Sequence, residues 1–204
     1  MNPAPESAHT ERWQLKPGDV LLVTDIQNDF LLGGSLAVAG GDEVVPVLNR
    51  YIGAFEKQDL PVYATRDWHP AGHCSFREQG GPWPVHCVAG THGAKFASAL
   101  RLPHFTILIS KATSPDQEAY SSFQGTDLDP RLRAAGIHRI FIGGLTTDYC
   151  VLNTVRDARK LGYEVMLLTD AIRAVDVQPN DGQRAEEEMM QLGARRITLE
   201  GMSA

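Results

Sequence analysis

The chain is 204 residues long, 43% hydrophobic, and carries a formal net charge of −6. That size and composition suit one globular domain with a sizeable core, and the mildly acidic balance argues against nucleic acid or an anionic membrane surface as partner. No apolar run approaches the ~20 residues needed to span a bilayer, and three cysteines at irregular spacing, Cys74, Cys87 and Cys150, fit reduced thiols in a reducing compartment better than a disulfide framework.

Residues 1–18 lack the basic n-region and apolar h-region of a signal peptide. They read as an N-terminal arm docked in part through Trp13, ahead of a domain over 19–204 that works in the cytoplasm. The first strand is DVLLVT, Asp19–Thr24, and a helical pattern follows over Asp42–Gln58. A second strand, Pro61–Thr65, leads into a weakly periodic stretch, Arg66–Pro103, rich in Gly, Pro and His. A loop of that length in a compact domain usually carries function. Strands are expected next at Phe105–Ser110 and Arg139–Gly143, a helix at Asp148–Leu161, a strand at Glu164–Leu168, a helix at Asn180–Leu192, and a last strand at Arg196–Leu199. The first five strands are dense in Val, Ile, Leu or Phe with little alternation, the mark of strands buried on both faces. The helical segments space their apolar residues by three and four, and Gly162 and Gly193 stand where helix C-caps belong. The expected fold is a doubly wound α/β domain: a six-stranded parallel sheet with helices on both faces.

Such sheets bind ligands beyond the carboxyl ends of their strands, and four reactive groups fall there. Asp25 follows strand one, Asp67 strand two and Lys111 strand three, while Cys150 lies just past strand four at a helix start. A lone cysteine among apolar residues can be core filler. A helix N-terminus, however, stabilises a thiolate and offers backbone N–H groups to an oxyanion. A nearby Lys111 would lower the thiol pKa further, and Asp25 could move the thiol proton. Asp67, His69 and His86 form a carboxylate-plus-two-imidazole set that suits zinc first, with iron or manganese as alternatives. His73 is left open as a fourth ligand, a neighbour of the ligands, or a structural residue. Phe30, Trp83 and Tyr120 lie close in sequence to these groups and could hold a flat ring; packing beneath the loop is the plainer reading of each.

These motifs together resemble the nicotinamidase branch of the isochorismatase-like cysteine hydrolases. The landmarks are TDIQNDF with GGSLAV, TRDWHPAGHCSF, GPWPVHCVAGT, Ser110–Lys111, AYSSFQGT and GLTTDYCVLNTVRDARKLGYEV, a likeness that spans about 19–176. The resemblance implies a triad of Asp25, Lys111 and Cys150 and one divalent metal on Asp67, His69 and His86. It implies an oxyanion hole from the N–H groups of Thr146 and Cys150, with a cis peptide before Thr146. It implies a pocket of Phe30, Leu36, Trp83, Tyr120, Leu145 and Tyr149 for nicotinamide; the charge balance leads us to expect no nucleic-acid or membrane partner, and a homo-oligomer is left open. Position 146 is usually alanine in this motif, so Thr146 bears on substrate preference. The competing readings are a sister amidohydrolase acting on a carbamoyl, ureido or maleamate-type amide, and a catalytically silent binding protein on the same fold.

Overall fold

Strand β1 (Asp19–Thr24) is buried at every position, as expected of a strand at the centre of a parallel sheet. A computed structural model describes residues 12–203 of the chain; the earlier part of the arm lies outside the described residues. After β1 come α1 (Val44–Glu56), β2 (Val62–Asp67), β3 (Ile107–Lys111), α2 (Leu128–Ala134), β4 (Arg139–Leu145), α3 (Leu152–Lys160), β5 (Glu164–Arg173), α4 (Asp181–Gln191) and β6 (Arg195–Ile197). The six strands pair in parallel in the order β3-β2-β1-β4-β5-β6. The order reverses between β1 and β4, which makes their carboxyl ends the crevice where such folds bind ligands.

Alternate strand residues feed two cores. Leu21, Val23, Val62, Phe141 and Met166 pack with Leu48, Ile52 and Phe55 of α1. Val20, Leu22, Ile140, Ile142 and Leu167 pack with Leu132 of α2, Val155 of α3 and Met189 of α4. The sheet is therefore covered on both faces, as its unbroken apolar strands require. At the amino ends of β1 and β4, Arg139 grips Asp19 with two hydrogen bonds of 2.8 and 2.7 Å, both residues buried. The buried Trp13 docks the described part of the arm by donating its indole N–H to the Thr198 carbonyl at 2.8 Å. Among the described residues no helix is long and apolar enough to cross a membrane.

The structure departs from the sequence pattern in four places. β3 begins at Ile107, because the chain turns at Pro103–Thr106 and leaves Phe105 45% exposed. β5 runs on past Leu168 to Arg173, through a register shift opposite Ile142–Gly144. Its polar residues are satisfied there: Thr169 donates to the Ile197 carbonyl, and Asp170 accepts from Tyr51 and the Leu199 N–H. The short helix α2 has no counterpart in the pattern reading. The helix expected from Asp148 opens instead with a π-helical turn, Thr147–Val151, before α3.

Candidate active site

Four consecutive strands, β3, β2, β1 and β4, deliver Lys111, Asp67, Asp25 and Cys150 to one end of the sheet. Asp67 and Lys111 are register partners on neighbouring strands, so their side chains meet. Lys111 Nζ lies 2.5 Å from Asp67 Oδ1, 2.9 Å from Asp25 Oδ2 and 3.3 Å from Cys150 Sγ. All four residues are buried. Asp25 itself sits at φ 50° just past β1. Its backbone N–H donates to the Thr65 carbonyl, and Thr65 Oγ1 donates to Asp25 Oδ1 at 2.6 Å. The 2.9 Å contact to Lys111 lies off the hydrogen-bond direction, so Oδ2 keeps an open lone pair despite its ionic neighbour. An oxygen of Asp25 and Cys150 Sγ stand within 4.8 Å of each other.

Burial dominates the electrostatics. It raises the Asp25 carboxyl above its usual range, and Lys111 offsets this only in part. Asp67 is also pushed up by burial, but the charge of Lys111, helped by His69 and by the hydrogen bond from Lys111, carries it below the usual range. Burial alone would lower the Lys111 pKa; Asp25 and Asp67 outweigh it and hold the ammonium charged, well above the ordinary lysine value. The Cys150 thiol departs from the expectation of a lowered pKa. Burial lifts it well above the ordinary value, Lys111 pulls it down only partly, and Asp25 and Asp67 raise it again. The resting group is a neutral thiol beside a carboxylate of raised basicity, an arrangement suited to proton transfer between the two.

Asp67, His69 and His86 form a second buried group whose donor atoms lie within 4.8 Å of one another. His69 Nδ1 faces the Ala112 carbonyl at 3.3 Å, and His86 Nδ1 faces the Pro84 carbonyl at 2.8 Å. A carbonyl can only accept, so each Nδ1 carries its ring's proton and each Nε2 presents a bare lone pair. These two lone pairs face each other at 3.3 Å, with Asp67 Oδ2 3.8 Å from His69 Nε2. Burial lowers the His69 pKa to about 4, so its ring is neutral near pH 7. Two opposed lone pairs and a carboxylate oxygen, buried together, are the donor set of a divalent cation and fit one here. His73 stacks on His69 with ring centroids 4.2 Å apart. Its ring nitrogens face Ser75 and the Gln117 carbonyl, outside this group.

Beside the two groups opens a narrow cleft lined by Phe30, Leu36, Trp83, Tyr120, Thr146, Tyr149 and Val175, with Asp67, His86 and Cys150. Trp83 donates its indole N–H to the Tyr120 hydroxyl at 3.0 Å and meets Tyr149 edge-on. Leu145 is not on this wall. Its side chain is fully buried with Phe141 on the α1 face of β4, because alternate residues of a strand point to opposite faces. The Leu145–Thr146 peptide bond is cis. The N–H groups of Tyr149 and Val151 both donate to the Thr146 carbonyl. Among the described residues the Thr146 N–H takes no protein acceptor.

Three supporting residues escaped the sequence reading. The buried Gln27 side chain accepts from the Asp67 N–H and donates to the Asp67 carbonyl, both at 2.8 Å, which locks the ends of β1 and β2 together. Thr65 orients Asp25, and Val175 lines the cleft. An amide two residues past Asp25, inside the same TDIQNDF motif, was a legible signal for Gln27; nothing local distinguishes Thr65 or Val175. The cysteines are all free.

Comparison with known proteins fits this geometry. The profile of the Isochorismatase domain matches residues 19–201. The nicotinamidase of Escherichia coli (strain K12) is 40% identical over 204 residues, covering 90% of this chain and 96% of that protein. The crystal structure of the pyrazinamidase of Pyrococcus horikoshii in complex with zinc superposes with a TM-score of 0.86 at 49% identity, covering 90% of this chain and 100% of that one. That of PnC1 from L. infantum in complex with nicotinate gives a TM-score of 0.87 at 34% identity, covering 95% and 99%. The chain belongs to the isochorismatase domain family.

Proposed function

We propose that the protein hydrolyses nicotinamide to nicotinate and ammonia through a Cys150 thioester. The observation that carries this reading is the position of Lys111 Nζ, in contact with Asp25, Asp67 and Cys150 beside a cleft walled by aromatic rings. Phe30, Trp83, Tyr120 and Tyr149 favour a flat ring over the small polar amides of carbamoyl- or ureido-cleaving relatives. Asp67, His69 and His86 would hold the cation, zinc in our reading. It would supply positive charge at one end of the cleft, where a ring nitrogen lone pair can anchor.

The remaining chemistry belongs to the chain's own residues. Asp25 takes the Cys150 proton through its open Oδ2, and the thiolate sulfur bonds to the carboxamide carbon. The N–H groups of Thr146 and Cys150 receive the oxyanion. Asp25 returns the proton to the nitrogen, the C–N bond breaks, and ammonia leaves an acyl-Cys150 thioester. Water then adds to the thioester with Asp25 as base, releasing nicotinate and restoring the thiol. Throughout, Lys111 balances charge on Asp25 and on the sulfur. The test is ammonia release from nicotinamide by purified, reduced protein, with metal content read on the same sample. We expect turnover with about one divalent ion per chain. No release from metal-loaded protein would overturn the reading in favour of a sister amidohydrolase.

A further inference from the structure

Asp148 stands in the π-helical turn that carries Cys150, yet its carboxylate points away from the reacting atoms. It reaches the loop after β5, where Oδ1 accepts the Val175 N–H at 3.0 Å and Oδ2 accepts the Asp176 N–H at 2.9 Å. Among the described residues neither N–H has another partner. The Val175 side chain lines the cleft beside Tyr149 and Cys150, whereas Val177, two residues on, is 54% exposed. The loop is thus a thin strap with one residue turned inward. Its far side is tied down as well. Asp176 sits at φ 50°, and its Oδ1 accepts the Gly182 N–H at the start of α4 at 2.8 Å. A Cβ at Gly182 would meet the Ala174 Cβ at 2.5 Å, so the strap closes on α4 only because that residue is glycine.

We propose that Asp148 is a positioning residue that fixes the Val175 wall of the cleft to the turn bearing the nucleophile. The inference rests on this cleft being the substrate pocket. One carboxylate with two backbone N–H partners hangs the wall from a turn that β4 and α3 already hold at either end, so loss of the anchor frees the wall and leaves the nucleophile in place. Asn at this position keeps a single acceptor and turns an NH2 group toward the other N–H, so one charge-assisted bond is lost and a donor faces a donor. A wall held in place only part of the time weakens apparent affinity in proportion to that fraction.

The experiment measures D148N, V175A and the double variant in the metal-loaded enzyme. It reads KM and kcat for nicotinamide, and the rate at which iodoacetamide alkylates the Cys150 peptide, a reaction that needs no ring wall. We expect D148N to raise KM about tenfold, the weight of one such bond, with kcat and alkylation changed by no more than about twofold. In the V175A background the same substitution should change KM by only about twofold, because the wall it positions is already gone. An unchanged KM in D148N, a full effect persisting in V175A, or a parallel loss of alkylation would overturn the proposal. So would a D148N chain that no longer melts cooperatively, which would give Asp148 a folding role. A wild-type enzyme inert toward nicotinamide would remove the reading beneath it; an active wild type with unchanged D148N kinetics would remove this inference alone.

Discussion

Replacing Lys111 with Met keeps an unbranched chain one atom shorter and removes the cation from a buried cluster of two carboxylates and a thiol. Asp67 and Asp25 stand 2.5 and 2.9 Å from Nζ, and all three residues are buried. At an effective dielectric of about 20, each such contact is worth roughly 6 kcal/mol of Coulomb attraction before desolvation is subtracted. The net cost of leaving a buried ion unpaired is about 3–5 kcal/mol. For a chain of this size that lowers Tm by about 10 °C. The pH dependence has a definite sign. Without Lys111 both carboxyls titrate higher in the folded state than in the unfolded one, so the folded state binds the extra protons. The deficit is then full above those raised folded values and shrinks as pH falls through them toward the ordinary carboxylate range. The assay is thermal and urea unfolding of wild type and K111M at pH 8 and pH 5, in chelator so that no metal stands in for the ammonium. A K111M protein that melts within about 2 °C of wild type at pH 8, or whose deficit grows at pH 5, would refute the charge argument. Ammonia release should fall by about 10³-fold, since the variant disturbs both the base and the nucleophile.

C150A should release no ammonia from nicotinamide while keeping its fold, with a stability loss of about 1 kcal/mol for the small buried group; activity and melting curves on one sample check both. R139L should cost about 3–5 kcal/mol in urea unfolding, because it strands the buried Asp19. It should leave KM unchanged, since that pair lies at the opposite end of the sheet from the site. H86A should purify without the divalent ion, as read by elemental analysis, and lose ammonia release while iodoacetamide still alkylates Cys150 at the wild-type rate. D67N should lose the metal and change the alkylation rate as well.

The strands were legible because a parallel sheet covered on both faces needs unbroken apolar runs, and Asp19–Thr24 is one. The strand ends then told where to look. What failed to show was polar structure satisfied from afar. β5 passes through Thr169 and Asp170, which read as a strand end until Ile197, Tyr51 and Leu199 supply their partners. The helix α2 buries only Leu128 and Leu132 and spends its outer face on the i,i+4 pairs Asp127–Arg131 and Asp129–Arg133. Those pairs, with Gly136 beyond them, were its only local signals. Leu145 illustrates a different failure. The family resemblance implied a place for it in the pocket, but strand alternation sends Leu145 into the core while its neighbour Thr146 lines the cleft. Cys150 does stand beside Lys111 just past β4, while its acidity was misjudged because a sequence displays the neighbouring Lys111 and not the depth of burial that outweighs it.

Asp67 explains why the site behaves as one unit rather than as a metal centre beside a hydrolytic triad. Its Oδ1 is bonded to Lys111, and through Lys111 to Asp25 and Cys150; its Oδ2 faces His69 and so the cation donors. Gln27 holds its backbone from both sides, so neither oxygen can swing to serve one half alone. His86, by contrast, touches only the donor side: its Nδ1 is on Pro84, its Nε2 on His69, and its ring near Phe30 and Phe76. Losing His86 therefore removes the cation and leaves Lys111 where it is, whereas losing the Asp67 carboxylate also frees Lys111 to lean on Asp25. That difference in connectivity makes Cys150 alkylation in H86A and D67N a direct reading of whether the two halves communicate through Asp67. Equal alkylation rates in the two variants would mean that they do not.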